Sequence, residues 1–368
     1  MLNAERWKAI VAWGVAFTLV VSAQAQAPVE PRPAWLATLE RIDRGEFESP
    51  APPALSPNAL DRFYWDLRRR AGAWINAEGA ASRDRRRRVA VLAALEIAAE
   101  TWQSAAAWDI GRKLVEWGCA EVRRGPRDEF QRVWLLACVS VIHGAGDELF
   151  LSGRPPSFVT DPLYPSEHAD HARRQFPGEP RFALARLVVQ LEARTLANRP
   201  GLPPPVANAR NPPREPQLRK LVIAFRDHAD DASVGGEAAL RAAILLFRLE
   251  DLETSLNFAK RAARSSGADP MVIYLAHLFA GLALESLARH DEARQAYEAA
   301  LRVMPRAKSG VILLAQRLFR SDQRDEASRL LDEALAGSPA ADPWSAYAFG
   351  DFRFWPVYRE VLRREVRR

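Results

Sequence analysis

Residues 293–305 read Ala-Arg-Gln-Ala-Tyr-Glu-Ala-Ala-Leu-Arg-Val-Met-Pro, and residues 327–339 read Ala-Ser-Arg-Leu-Leu-Asp-Glu-Ala-Leu-Ala-Gly-Ser-Pro. Ala293, Tyr297, Ala300, Leu301 and Pro305 return 34 positions later as Ala327, Leu331, Ala334, Leu335 and Pro339. The segments before them keep the same step, with Ala280, Gly281 and Leu284 answered by Leu314, Ala315 and Leu318. Apolar residues at three- and four-residue spacing, a polar break and a closing proline read as a helical hairpin, and a fixed period reads as its repetition. Gly281, Ala315 and the alanines lack bulk, so helices can approach closely there. Tyr297 and Leu331 fill the gap between hairpins, while Pro305 and Pro339 end each second helix. His290 to Glu292 and Gln323 to Glu326 supply the polar turns within hairpins.

A third copy precedes these two. Ala242, Ala243 and Leu246 lie on its first helix, and Ser255, Ala259 and Ala262 on its second. The step from Ser255 to Ala293 is 38, because Ser265 to Asp269 lengthen the connection before Pro270. A weaker echo, Ala172 and Pro177 followed by Phe182, Ala185 and Val189, occurs earlier.

A hairpin of this period and pattern resembles the tetratricopeptide family. The resemblance implies an all-α fold, a right-handed superhelix of stacked hairpins. It also implies a non-enzymatic scaffold that binds protein or peptide on a concave face lined by each hairpin's first helix. Here that lining would be Glu237, Leu240, Ile244 and Arg248, then Leu278, Leu282 and Glu285, then Ile312, Gln316 and Phe319. Such a mixed apolar and charged surface suits a peptide or helix better than a phosphate or sugar. The Lys/Asn clamp with which some members hold a terminal carboxylate is not matched.

Outward from the repeats, the aromatic-rich residues 340–368 read as a cap over the exposed apolar end of the array, closing with a helix from Pro356. Residues 217–339 hold the repeats, and the Pro-rich stretch 197–216 reads as a loop separating two helical parts. Residues 58–196 read as degenerate helical repeats with an irregular loop between Gly144 and Pro165. Residues 26–57 form a Pro-rich leader with one short helix, from Trp35 to Phe47. Residues 1–25 read as a signal peptide: Arg6 and Lys8, the apolar run from Ala9 to Ala23, and the small-x-small site Ala23-Gln24-Ala25. The expectation is an exported protein, periplasmic or extracellular, with no membrane span after cleavage, since the apolar run is shorter than the about 20 residues a span needs.

The formal net charge is +6. Only Lys8, Lys113, Lys220, Lys260 and Lys308 among the 52 basic residues are lysines. The densest runs, Arg68 to Arg70 and Arg85 to Arg88, adjoin helical patterns with Asp66 and Asp84 beside them, so they read as solvated helix ends rather than a nucleic-acid surface. Cys119 and Cys138 fall on successive helices joined through Gly125-Pro126 and read as two buried small residues, with a disulfide as the other possibility. No P-loop, dinucleotide fingerprint, HExxH or GxSxG occurs. His168 and His171 share a helix start and read as solvated polar residues, for want of a third ligand. No cofactor, metal or catalytic residue is expected. The alternatives are an all-α enzyme in the N-terminal half with the repeats as its docking region, or an envelope assembly component.

Overall fold

The structure is a computed structural model and describes residues 57–77, 79–101, 108–151, 163–196, 215–265, 269–336, 342–348 and 353–367. The expected signal peptide, the Pro-rich leader with its short helix, and residues 197–214 of the Pro-rich loop lie outside that set. Every long element among the described residues is an α-helix. They are α1 (Pro57–Asn76), α2 (Ala80–Thr101), α3 (Trp108–Val122), α4 (Glu129–Leu151), α5 (Leu163–Gln175), α6 (Pro180–Leu196), α7 (Glu215–Asp227), α8 (Gly235–Arg248), α9 (Leu252–Ala263), α10 (Pro270–Ser286), α11 (His290–Val303), α12 (Lys308–Arg320), α13 (Arg324–Leu335), α14 (Pro343–Ala348) and α15 (Trp355–Arg367). No described helix is long and apolar enough to cross a membrane.

Two compact units divide the described residues, the first holding α1, α2 and α3 as far as Gly118. In it, α1 buries Tyr64, Leu67, Ala71 and Ile75, one stripe at three- and four-residue spacing. Arg86 of α2 donates to the Trp74 carbonyl at 2.9 Å and stacks over the Trp74 ring, while Lys113 of α3 sits over Tyr64. Asp66 holds Arg69 at the surface, whereas Asp84 holds Arg87 and Arg88, which are half-buried within α2 and not the solvated helix end expected.

The second unit begins at Cys119. Its first long helix corrects the expected loop after Gly144, because α4 continues to Leu151. No proline falls between Gly144 and Pro155, and Ala145, Glu148 and Leu149 favour helix. Two internal glycines cost about 1 kcal/mol each, too little to end a helix of this length. A second correction concerns the Pro-rich stretch. Leu184, Val188 and Leu191 of α6 share one core with Leu221 and Phe225 of α7 and Ala238, Ala242 and Leu245 of α8. The helices on either side of residues 197–214 thus share one core and lie in one compact unit, so no unit boundary falls between them. Helix α7 also starts at Glu215, with Pro216 in the first turn, where its missing N–H costs nothing.

From α8 to α13, each helix packs on its successor, and α8 also packs on α10. The three hairpins α8–α9, α10–α11 and α12–α13 end their first helices in the same way. Asp251 N donates to Leu246 O and Glu250 N to Phe247 O; Arg289 N to Leu284 O and Ala288 N to Glu285 O; Gln323 N to Leu318 O and Asp322 N to Phe319 O. In each turn the residue after the helix is left-handed: Glu250 at φ 59, Ala288 at φ 58 and Asp322 at φ 63. This double hydrogen bond around a left-handed residue is the Schellman arrangement. Its recurrence at 250, 288 and 322 keeps the 38- and 34-residue steps of the sequence. None of the three residues is glycine. Ala288 is exposed, and Ala288→Gly is expected to stabilise the protein by about 0.5–1 kcal/mol, since alanine pays a steric penalty there that glycine avoids. Urea unfolding measures it; a loss of the size seen for glycine in a helix interior would count against the turn.

Inside the hairpins, the Tyr297 ring lies against Gly281, so close that a Cβ on Gly281 would stand 2.9 Å from Tyr297 Cζ and nearer still to two other ring carbons. Ser255 Oγ donates to the Ala243 carbonyl at 2.8 Å at the equivalent level of the first hairpin. Between hairpins, Gly310 N at the start of α12 donates to Tyr274 Oη of α10 at 2.9 Å.

The C-terminal aromatics sit elsewhere than over the last hairpin. Asp342 accepts from Ser309 N at 2.7 Å and from Trp344 N at 2.9 Å, joining the starts of α12 and α14. From there Trp344 packs on Phe279 of α10, at 5.5 Å between ring centroids, and stacks on Tyr347. Arg241 of α8 lies over Tyr347, Arg353 lies over both Tyr347 and Phe354, and Arg181 of α6 lies over Phe354. Helix α15 then packs on α4. At the end of the array a depression of about 330 Å³ remains between α12 and α13, lined by Leu314, Leu318, Leu330, Glu326, Arg329 and Glu333. The physical reason for the different placement is charge: a buried carboxylate on α8 draws in Arg353, and the aromatics follow it.

Candidate functional site

The ten residues expected to line one face divide into three groups. Glu237, Leu240 and Leu278 are buried and belong to the interior, which corrects their placement on an open surface. Ile244 and Leu282 are half-buried and pack against the repeat core. Glu285 is half-buried and paired, with Arg317 at 3.4 Å, Arg320 at 3.9 Å and His290 at 3.5 Å. Arg248, Ile312, Gln316 and Phe319 are exposed, Ile312 by 39% and Phe319 by 51%.

Glu237 explains the first group. It is only 4% exposed, and Arg181 and Arg353 each approach one carboxylate oxygen at 2.7 Å, with Arg241 on the other at 3.3 Å. Burial alone would raise its pKa, but the charges of Arg353, Arg181 and Arg241 outweigh burial and hold the carboxyl well below its ordinary value. Arg353 comes from the C-terminal segment, so the chain's own tail covers the α8 end of this face. Residues on α12 escape that cover. Ile312, Gln316 and Phe319 share one side of the helix at steps of four and three. The helix carries Lys308, Arg317 and Arg320 and no carboxylate. Arg324 lies over the Phe319 ring at 5.9 Å.

A second place was not foreseen as one site. Packing of α3, α4 and α5 brings Cys119, Cys138 and His168 together. Cys119 Sγ lies 3.6 Å from Cys138 Sγ and 3.7 Å from His168 Nδ1, and all three atoms fall within 4.8 Å of one another. Both cysteines are buried and unbonded to each other, as their reading as small buried residues expects. His168 is not the solvated residue expected, since it is half-buried against Cys119. A hydrogen bond from Cys138 lowers the Cys119 pKa, with His168 and Arg123 helping against burial. Burial raises Cys138 well above its ordinary value, and the Cys119 thiolate adds to that. Cys119 and His168 form part of the wall of a cavity of about 430 Å³, with Arg123, Asp170, His171 and Arg174 around it. Burial lowers the His171 pKa, with the charges of Arg123 and Arg174 adding to it, and its Nε2 is buried without a hydrogen-bond partner.

Sequence reasoning weighed the cysteines and the histidines separately. The only signal was the short spacing within each pair; the 49 residues between Cys119 and His168 follow no ligand motif. Fold and sites together define an all-helical protein whose C-terminal part holds three consecutive hairpins with one recurring turn. No protein-family model matches the chain, and no curated protein matches its sequence.

Proposed function

We propose that the chain is an exported, non-enzymatic scaffold of tetratricopeptide type, a right-handed helical array that binds a protein or peptide on its first-helix face. The observation that carries this reading is the exposed pair Ile312 and Phe319, two turns apart on one side of a helix that carries Lys308, Arg317 and Arg320, the last two reaching Glu285 of α10. Large apolar side chains left on a helix already built into a hairpin core have no folding role to explain them. The partner that fits presents an apolar side chain flanked by carboxylates, laid along α12. The α8 end of the face is served by the C-terminal segment, so binding is restricted to the α12 end.

The test is site-specific photo-crosslinking in the exporting cell, with the probe at Gln316, in native protein and in Phe319→Glu. Because Phe319 is exposed, the variant should unfold at the same urea concentration within experimental error, while the crosslinked partner falls by tenfold or more, about 1.4 kcal/mol of binding. Unchanged crosslinks in Phe319→Glu would remove α12 from the binding surface. Fractionation of the same cells tests export: recovery in the cytoplasm with the first 25 residues intact would end that part of the proposal.

One observation favours the second reading, an all-helical enzyme in the N-terminal half with the repeats as its docking region. It is the meeting of His168 with Cys119 and Cys138 beside a cavity.

A further inference from the structure

We propose that Cys119, Cys138 and His168 bind one zinc ion, with the fourth coordination position open to the cavity lined by Arg123, His171 and Arg174.

Three lines of geometry and chemistry lead there. Zinc–sulfur bonds of about 2.3 Å and zinc–nitrogen bonds of about 2.0 Å in a tetrahedron require about 3.8 Å between two sulfurs and about 3.5 Å between sulfur and nitrogen. The observed separations are 3.6 Å and 3.7 Å. A disulfide requires about 2.05 Å, so that reading needs the sulfurs to move together by well over an ångström, whereas two of the three separations already match the metal and the third, from Cys138 to His168, lies within 4.8 Å. The donor set is two sulfurs and one imidazole nitrogen, which zinc prefers over calcium or magnesium.

The surroundings fit as well. The ligands stand on three packed helices, α3, α4 and α5, and Arg123 Nε fixes the end of α3 by donating to the Cys119 carbonyl at 2.8 Å. Cys119 and His168 reach the cavity wall, which supplies an entry path for the ion. Two thiolates and a neutral imidazole cancel the charge of Zn²⁺. Arg123 and Arg174, set against the one carboxylate Asp170 in the same wall, then favour an anion, hydroxide or an oxyanion, at the fourth position.

The full chain, purified with reductant and stripped with chelator, is titrated with Co²⁺ and then Zn²⁺. The expected result is one Co²⁺ per chain, with tetrahedral d–d bands and a thiolate charge-transfer band, both erased by one equivalent of Zn²⁺. Bound Zn²⁺ should also shield both thiols from a thiol reagent. Cys119→Ser and His168→Gln should each weaken binding by at least about a hundredfold, beyond what changes around a metal's ligands usually cost. Cys119 is buried and its variant can misfold, so His168→Gln, half-buried and checked by circular dichroism, keeps the test decisive. An octahedral cobalt spectrum without sulfur bands would overturn the proposal. So would unchanged affinity in a folded His168→Gln, or a Cys119–Cys138 disulfide in protein taken from the exporting cell.

Discussion

Glu237→Gln is expected to cost about 3–5 kcal/mol of folding stability, because it leaves Arg181, Arg241 and Arg353 gathered in the interior without the carboxylate they share. The loss exceeds that of an exposed ion pair, worth at most about 1 kcal/mol, since the whole cluster is removed from water. Its pH dependence follows from the depressed carboxyl. A carboxylate with a lowered folded pKa stabilises fully above its unfolded value, about 4.3, and that contribution is lost as pH falls toward the folded value. Wild-type stability should therefore decline below about pH 4 more steeply than that of Glu237→Gln, which has no such group to protonate. Urea unfolding at several pH values reads both effects. If the variant does not fold at all, Arg353→Met in the same measurement gives a smaller loss and a partly exposed Tyr347 detectable by fluorescence quenching. Parallel pH profiles for wild type and Glu237→Gln would show that the cluster is not coupled to folding.

Gly281→Ala should destabilise the protein by about 2 kcal/mol even though alanine improves helix propensity by about 1 kcal/mol. The clash wins because the added methyl meets the flat of a ring that is itself buried among helices and cannot swing aside. The next hairpin already contains the remedy: where Gly281 faces Tyr297, Ala315 and Leu331 occupy the corresponding positions. Gly281→Ala combined with Tyr297→Leu should consequently recover much of the loss caused by the alanine, a coupling of about 1–2 kcal/mol between adjacent residues. Additive losses in the double variant would mean that the two positions do not share one packing level.

Much of the C-terminal architecture was legible from residue order because its determinants are local. The helical periodicity, the small residues that permit close approach, and the polar breaks lie within one or two turns of the structure they specify. The turns lie just before the polar residues expected to form them, because His290 to Glu292 and Arg324 to Glu326 open α11 and α13, and the left-handed Glu250, Ala288 and Asp322 carry no glycine to announce the geometry. Glycine was a misleading guide at Gly144 and Gly146, where the surrounding helix formers prevail. Proline was misleading at 197–216, where punctuation in the chain does not interrupt the core.

The sequence by itself determined that the described chain is helical and that the hairpin register of its C-terminal part advances by 38 and then 34 residues, because hydrogen bonding and side-chain periodicity within a helix are short-range. Only the tertiary structure decided that Glu237 is a buried anchor and not a surface carboxylate, that the C-terminal aromatics fold onto α8 and α10, and that Cys119, Cys138 and His168 converge. Each of those depends on groups 19 to 116 residues apart being brought within a few ångströms, and no spacing rule in a linear chain encodes such a meeting.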